Sequence, residues 1–452
     1  MNEETSKKKN HRRCKKSPFQ KALVGIAFCS VLLLACFMVY VMSLGTGVPA
    51  SSTGQIATQL AATEPTSENP TTEAPTTEAP TTEAPATEPP TEAAVVEPTE
   101  PVLPPHVQQA SVLLDSLTLE EKVWQMIFVT PDELTGVYQP TAAGDSTRRA
   151  LETYPVGGIV YFKDNITGES QIRNMISSSQ SYSKIPLFTC VDEEGGLVSR
   201  LSGIGVTEKK NPMATYGAAG DPQAVYDLGK EFAQQLSSVG FNLDYAPVAD
   251  VLTNPNNTEI GNRAFSSDPQ VVATMVTEMV KGLQEGNVIS CLKHFPGHGS
   301  TSANSHYGTS VSERTLAELR EEEFLSFRAG INAGAELVMI SHMSLPNVTG
   351  NNEPCEFSEI VVTQLLREEL GFTGLIVTDS QEMGAVGNYD SGEAALRAVL
   401  AGCDVITMPK DKVKAFEGIL EAVQNGTLTE ERINESVLRI LSLKYEYGII
   451  AQ

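Results

Sequence analysis

One continuous stretch decides the fold: Lys293-His294-Phe295-Pro296-Gly297-His298-Gly299-Ser300-Thr301-Ser302-Ala303-Asn304-Ser305-His306. It follows an apolar run at 288–292 that predicts a buried strand. Pro296 and the two glycines indicate a sharp turn where that strand ends. Because histidine, lysine and hydroxyl side chains collect there, the loop suits binding and proton transfer better than packing. A surface loop with chance histidines is the simpler alternative.

Eight short apolar runs between residues 106 and 452 predict strands. Amphipathic segments that predict helices lie between them, among them 315–333, and a further predicted helix at 106–126 precedes the first strand. The runs show little alternation of polar and apolar residues, which is typical of parallel strands covered on both faces. This order predicts a (β/α)8 TIM-type barrel, with a doubly wound open sheet as the alternative. The predicted strands are 127–130, 158–162, 186–191, 241–247, 288–293, 337–342, 374–378 and 404–408.

Charged or ionisable side chains follow five of these strands where each one ends. In a TIM barrel the reactive residues lie at the carboxyl ends of the strands, so these side chains are expected at one mouth. Helix caps or surface ion pairs would explain any single one of them. Desolvating all of them together is costly, and this favours a functional site. The residues are Asp192, Asp250, Lys293 with His294, His342 and Asp379.

The first 44 residues predict a membrane anchor. Residues 1–21 are basic, and residues 22–44 are uncharged and long enough to cross a bilayer as a helix. The basic flank is expected to stay in the cytoplasm, which places the rest of the chain outside the cell membrane as a single-pass protein. A cleaved signal peptide is the alternative, since Leu33-Leu34-Ala35-Cys36 resembles a lipoprotein processing site. The apolar run continues beyond Cys36, which favours an uncleaved helix.

Residues 45–105 predict a disordered linker rich in threonine, glutamate, alanine and proline. The unit Thr-Thr-Glu-Ala-Pro repeats within it, and no Lys or Arg occurs between Lys21 and Lys122. Such a segment buries too little apolar surface to fold. Extended at about 3.1 Å per residue, it would span on the order of 190 Å and act as a stalk. The linker contributes to the net charge of -24, which makes nucleic acid an improbable partner.

The cysteines predict neither disulfides nor a metal site. Four of the seven lie in the predicted barrel, at positions 190, 291, 355 and 403, without the C-x-x-C spacing of zinc ligands. We expect them to be buried thiols. No metal or organic cofactor is implied by any other pattern in the chain.

Five separated blocks resemble the motifs of glycoside hydrolase family 3, and they occur in that family's order. The barrel is not followed by the second α/β domain of larger members, so the resemblance favours the β-N-acetylglucosaminidase branch over the β-glucosidases. The blocks are 191–201 (VDEEGGLVSRL), 242–251 (NLDYAPVADV), 260–265 (IGNRAF), the stretch 293–306, and 372–379 (FTGLIVTD) with Met383-Gly384-Ala385.

The resemblance implies a retaining glycosidase and assigns its residues. Asp379 matches the nucleophile that forms a glycosyl-enzyme, and His306 matches the general acid/base. A histidine suits that role because its ordinary pKa of about 6.5 lies near working pH. By family role, five further residues would hold the sugar, although caps and ion pairs would also explain them: Asp192, Arg200, Arg263, Lys293 and His294.

One position departs from the family pattern. The family pairs the acid/base histidine with an aspartate, whereas this chain has Asn304-Ser305-His306. The amide of Asn304 can orient the imidazole but cannot stabilise its charge, so we expect a lower pKa and weaker proton transfer. Three outcomes stay open: a slow enzyme, another carboxylate in the same role, or a protein that binds sugar without cleaving it.

Together these patterns predict a tethered exo-β-N-acetylglucosaminidase with a monomeric catalytic domain. Its expected substrates are peptidoglycan-derived muropeptides or other terminal β-N-acetylglucosaminides. The alternatives are a weakened or inactive sugar-binding homologue and a β-glycosidase for another sugar. Phosphorolysis in place of hydrolysis is a further possibility, because a neutral histidine repels an anionic acceptor less than a carboxylate does.

Overall fold

Eight parallel strands form a ring in the structure, a computed structural model that describes residues 103–301, 308 and 310–451. Neighbouring strands pair in chain order, and the first pairs with the last through Ile127 and Ile406. A bridge between Val377 and Val405 completes the ring. The predicted (β/α)8 barrel is confirmed, and the open-sheet alternative is wrong. The strands β1 to β8 are Ile127–Val129, Gly158–Val160, Phe188–Val191, Leu243–Asp244, Ile289–Phe295, Leu337–Ile340, Leu375–Thr378 and Ile406–Thr407.

Every residue of the eight strands is buried. Side chains on one face fill the barrel and those on the other face pack against helices, which explains the continuous apolar runs. The fourth strand is shorter than the predicted 241–247, although the N–H of Tyr245 still donates to Val191 and the carbonyl of Ala246 accepts from Cys291. The fifth strand continues past the predicted end at Lys293, so His294 and Phe295 belong to it.

Helices surround the barrel and begin at recognisable caps. Asp221 and Asp268 each accept a backbone hydrogen bond at the start of a long helix whose first residue is proline. The longer helices are Pro105–Ser116, Leu119–Gln125, Asp145–Thr153, Glu169–Tyr182, Met213–Ala219, Pro222–Val239, Pro269–Glu285, Leu316–Glu321, Glu323–Asn332, the π-helical Ile360–Glu369, Ser391–Ala401, Lys412–Gln424 and Glu430–Glu446. Shorter turns are Pro131–Thr135, Pro346–Thr349, and the 3₁₀ segments Lys163–Asn165, Gly261–Arg263, His298–Ser300, Cys355–Phe357 and Gly384–Val386.

The helix predictions need two corrections. The segment 106–126 is two helices, because Thr118 and Glu121 form a capping box that starts a new one. The segment 315–333 is also two helices, and they meet at Glu322, whose backbone leaves the helical region. Helices Asp145–Thr153 and Glu169–Tyr182 were not predicted, since they are rich in polar residues and bury few side chains.

A short antiparallel hairpin follows β3 and forms one wall of the barrel mouth. It pairs Glu193–Gly195 with Val198–Ser199. Glu193 is fully buried beneath it and accepts hydrogen bonds from the backbone N–H groups of Arg200 at 2.9 Å and Leu201 at 3.1 Å. The first glutamate of this motif therefore holds the loop in shape.

The four cysteines of the barrel are buried free thiols, as predicted. Within residues 103–301, 308 and 310–451, no helix is both long and apolar enough to cross a membrane. The predicted anchor at 22–44 and residues 45–102 of the predicted linker lie outside the described residues.

Candidate active site

A cleft of about 410 Å³ opens at the carboxyl ends of the barrel strands. It brings together all of the predicted site residues that the structure describes. His306 and Asn304 lie outside the described residues, so their places in the site stay predictions. The predicted residues that line the cleft are Asp192, Arg200, Arg263, Lys293, His294 and Asp379.

Lys293 lies at the centre of a chain of ion pairs along one wall of the cleft. Its Nζ is 2.7 Å from Oδ1 of Asp192 and 2.6 Å from Oε1 of Glu194. Arg263 donates to both oxygens of Glu194 at 2.8 Å, a bidentate pair with fixed geometry. Arg200 lies 3.5 Å from Asp192 and packs over the ring of Phe162. These residues therefore orient one another before any ligand arrives.

Mutual pairing keeps this wall ionised although it is buried. The side chains of Lys293 and Glu194 are 2 % and 1 % exposed. Burial alone would raise the pKa of Glu194, but Arg263 and Lys293 hold it below its ordinary value. Burial would lower the pKa of Lys293, yet Asp192 and Glu194 raise it. The wall therefore presents fixed donors and acceptors, which is the chemistry that sugar hydroxyl and amide groups require.

Asp250 organises the turn that carries two of the predicted loop's histidines. One of its oxygens lies 2.7 Å from Nδ1 of His294, and the other accepts from the backbone N–H groups of His294 and His298. Although burial raises the pKa of Asp250, the two histidines bring it below its ordinary value. A carboxylate on Nδ1 fixes the tautomer of His294 and leaves Nε2 as the ring nitrogen that can meet a ligand.

Close packing explains the glycine at position 297. Its φ of 126° is unfavourable for other residues, and a Cβ atom there would overlap the side chain of Glu323. The loop after it leads to the segment predicted to hold the acid/base. Ser300 and Ser312, on either side of that segment, are joined by a 2.8 Å hydrogen bond between their hydroxyls. Both ends of the segment are therefore held at one place beside the His298 turn.

Asp379 follows β7 directly and is held by neighbouring backbone. Its N–H donates to the carbonyl of Ile340 at 3.1 Å, and its Oδ1 accepts from the N–H of Ser380 at 2.7 Å. Burial raises its pKa, but His342, His294, the Ser380 hydrogen bond and Lys293 together lower it below the ordinary value. The carboxylate is therefore ionised at neutral pH, as a nucleophile must be.

Sequence reasoning did not give the roles of the supporting acids of the site. Asp250 was predicted at the barrel mouth and Glu194 lies within a quoted motif block, but the sequence did not show that they pair with Arg263, Lys293 and His294. His342 follows β6, as the pattern of strand ends predicted, but its partner Glu356 has no local signal in the sequence. Glu259 and Glu382 also line the cleft.

Comparisons with known proteins agree with this geometry. The family model described as the glycosyl hydrolase family 3 N-terminal domain matches residues 118–443. A β-hexosaminidase from Stenotrophomonas maltophilia (strain R551-3) is 36% identical over 285 residues, which are 62% of this chain and 83% of that protein. β-Hexosaminidase A from Pseudoalteromonas piscicida is 32% identical over 323 residues, covering 65% of this chain and 54% of that protein.

A solved structure gives the same result. A glycoside hydrolase family 3 β-N-acetylglucosaminidase from Paenibacillus sp. str. FPU-7 superposes with a TM-score of 0.70 and 35% sequence identity. The match covers 74% of this chain and 64% of that one, so this chain spans about two thirds of that neighbour's length. The barrel, the charged cleft and the family model over 118–443 lead to one conclusion: this chain belongs to glycoside hydrolase family 3.

Proposed function

We propose that this protein is a retaining exo-β-N-acetylglucosaminidase with Asp379 as its nucleophile. One observation carries the proposal above all: Asp379 lies at the end of β7 in a cleft that is also lined by the paired charged groups of Asp192, Glu194 and Lys293. The relatives named as β-hexosaminidases support the same sugar class. So does the Paenibacillus neighbour.

In this mechanism Asp379 attacks the anomeric carbon and forms a covalent glycosyl-enzyme, which water then hydrolyses. Asp192, Lys293 and His294 hold sugar hydroxyls, and Arg263 supports Glu194 beside them. Arg200 belongs to the same wall and packs over the ring of Phe162. His306 protonates the leaving oxygen in the first step and activates water in the second. Asn304 orients the imidazole of His306 without adding charge.

We further propose that the barrel acts outside the cell. The predicted anchor at 22–44 and the acidic linker at 45–105 would hold it away from the membrane surface, facing the cell wall. Muropeptides derived from peptidoglycan are the substrates that suit this placement. Membrane fractionation and protease accessibility of the barrel in intact cells would test the placement, and a cytoplasmic, protected barrel would contradict it.

The proposal is tested by hydrolysis of 4-nitrophenyl β-N-acetylglucosaminide with the purified full-length protein. We expect turnover by the wild type, loss of turnover in Asp379→Ala, and weaker turnover of the matching β-glucoside. Turnover that survives Asp379→Ala would exclude this nucleophile. Repeating the assay in inorganic phosphate distinguishes phosphorolysis, which would release the sugar 1-phosphate in place of the free sugar.

A sugar-binding protein without turnover is the second candidate, and Asn304 is the observation that favours it. The variant Asn304→Asp restores the carboxylate that the family pattern has beside His306. We expect a gain in kcat from this change if the native loop is a weakened acid/base. Binding of N-acetylglucosamine with no turnover in either protein would favour the sugar-binding function.

A further inference from the structure

A fully buried ion pair lies directly behind the Asp379 turn. Nδ1 of His342 is 2.8 Å from Oε2 of Glu356, and both side chains are 0% exposed. Nε2 of His342 is 2.7 Å from the backbone carbonyl of Ser380, the residue after Asp379. The imidazole therefore bridges the short helical turn Cys355–Phe357 and the end of β7.

These contacts determine where the protons are. A carbonyl oxygen only accepts, so Nε2 of His342 must carry hydrogen. Nδ1 lies beside a carboxylate oxygen, and two lone pairs at this distance would repel each other, so Nδ1 carries a second proton. Burial lowers the pKa of His342, but Glu356 and Asp379 raise it to about 9. The imidazole of His342 therefore carries both ring protons at neutral pH.

The same pair fixes the backbone beside the nucleophile. The N–H of Ser380 donates to Asp379 and its carbonyl accepts from His342, so both polar groups of this residue are engaged. Glu356 also accepts from Nε2 of Gln381 at 3.1 Å through its second oxygen. The carboxylate of Glu356 thus contacts both His342, which holds the Ser380 carbonyl, and Gln381, which follows Ser380.

Among the described residues, two carboxylates act on His342: Glu356 from the Cys355–Phe357 turn and Asp379, which follows β7. Lys293 and His294 of β5 act in turn on Asp379. The thiols of Cys355 and Cys403 also lie against Glu356, and burial raises the pKa of both, so they stay neutral. His342 is the largest of the influences that favour the charged form of Asp379.

We propose that His342 and Glu356 are positioning residues for the glycosidase reaction, holding the Asp379–Ser380 peptide and placing a positive charge behind the nucleophile. The inference rests on the proposed function, since it assigns them a role in the same reaction. A purely structural pair would affect only folding, whereas this pair should also affect the pH dependence of activity. Removing the charge should make Asp379 take up a proton at higher pH, so activity should fail first on the acid side.

The variant Glu356→Gln isolates the charge from the shape. Glutamine keeps the shape of the side chain, and its amide N–H can face Nδ1 of a neutral His342, so the second proton is lost while the contact remains. We expect the acid limb of the kcat/KM profile to move up by about one pH unit or more. The loss in kcat/KM should be largest at the lowest pH at which the wild type is still active, and it should fall to a constant factor above the acid limb. The variant His342→Gln should move the limb in the same direction.

Ser436→Ala is the matched control, because Ser436 is buried and donates to Asp404 at 2.6 Å, at the other end of the barrel. It should lower the melting temperature and leave the acid limb in place. The proposal would be overturned if the acid limbs of Glu356→Gln and of His342→Gln both coincide with that of the wild type. An equal shift in Ser436→Ala would overturn it too, because the shift would then report stability.

A measurement without turnover separates this inference from the proposed function. In full-length protein labelled with [¹⁵N]histidine, both ring nitrogens of His342 should carry hydrogen up to pH 8. A neutral ring at pH 7 would overturn the inference even in an active enzyme. If the wild type cleaves no β-glycoside, the proposed function fails and the ¹⁵N spectrum alone decides the charge state of the pair. The ¹⁵N spectrum of the wild type likewise tests the inference in the case that neither variant folds.

Discussion

The two ends of the barrel bury charge in different ways. At the carboxyl ends of the strands, Lys293 and Glu194 pair along the wall of an open cleft. At the amino ends, Asp404 precedes β8 and is fully enclosed, with Arg367 at 2.7 Å, Arg439 at 3.0 Å and the Ser436 hydroxyl at 2.6 Å. Protein donors saturate the second carboxylate, whereas the first network faces space that a ligand can enter. Buried charge indicates a site only where its surroundings are open.

Size alone would identify the wrong end. A groove of about 930 Å³ lies at the amino ends of the strands, larger than the cleft, and is lined by Phe372, Leu375, Arg439 and Glu446 among others. The guanidinium of Arg439 there is directed to Asp404. The nucleophile and the sugar-binding residues that the motifs predict lie at the smaller opening.

The largest effect should come from Asp379→Ala at the open end. Without a carboxylate at the end of β7 no glycosyl-enzyme can form, so kcat should fall by roughly 10⁴-fold or more. The melting temperature should change little, because Asp379 is only partly buried and the hydrogen bond between Ser380 and His342 remains. Steady-state kinetics on a chromogenic β-N-acetylglucosaminide and a thermal melt of the same sample measure both. A large loss of stability would contradict the contrast between the two ends.

The matched change at the closed end is Asp404→Asn. It leaves the arginines without their counter-charge, and breaking a buried pair costs about 3–5 kcal/mol in the free energy of unfolding. We expect kcat and KM of the folded fraction to stay within about twofold of the wild type. Urea unfolding followed by far-UV circular dichroism gives the free energy. An equal loss of activity per folded molecule would show that the two ends are coupled.

Glu194→Gln tests whether the open-end network works by orientation. The change keeps the side-chain shape but removes the charge that holds Lys293 and Arg263, so kcat/KM should fall by about 10²-fold. Glu152→Gln is the matched surface control, because Glu152 is exposed and pairs with Arg148 on a helix away from the cleft. Equal activity in the two variants would contradict the role of the Glu194 charge in orienting Lys293 and Arg263.

The smallest effect concerns Lys444, a buried lysine that contacts Gln125 at 2.8 Å. Burial lowers its pKa to about 7, far below the value of a solvated lysine. Between pH 7 and about 10 the unfolded chain therefore binds more protons at this residue than the folded chain does. Wild-type stability should accordingly gain about 2 kcal/mol from this residue between pH 7 and 9.

Lys444→Met should remove that pH dependence and stabilise the protein at pH 7. Unfolding curves of both proteins at several pH values provide the measurement, and activity at the cleft serves as the internal control. Parallel stability profiles would show that Lys444 keeps an ordinary pKa.

The strands were predictable because each one is buried on both faces, so its sequence is apolar throughout. The helix break at Thr118 was also encoded locally, since Thr118 and Glu121 have the spacing of a capping box. The break at Glu322 has neither glycine nor proline to announce it. There the tertiary packing of Glu323, which is fully buried, overrides a continuous helical pattern.

For the site, motifs located residues but not their partners. Asp192 and Lys293 are 101 positions apart, and Glu194 and Arg263 are 69 apart, so only the closed barrel brings them together. Each residue type indicates that a partner is needed, since buried charge must be compensated. The sequence pattern does not say which acid meets which base. The pairing of His342 with Glu356 is the clearest case, because Glu356 belongs to no recognised motif.

In solution the two oxygens of an aspartate are interchangeable, but the fold removes this symmetry at Asp379. The Ser380 amide occupies Oδ1 at 2.7 Å, and the Ser380 carbonyl is itself held by His342. Under the proposed mechanism Oδ2 is then the atom that bonds to the sugar, on every turnover. Specific ¹⁸O labelling would therefore distinguish the oxygen that bonds to the sugar from the oxygen that does not, although the two are chemically equivalent in a free aspartate.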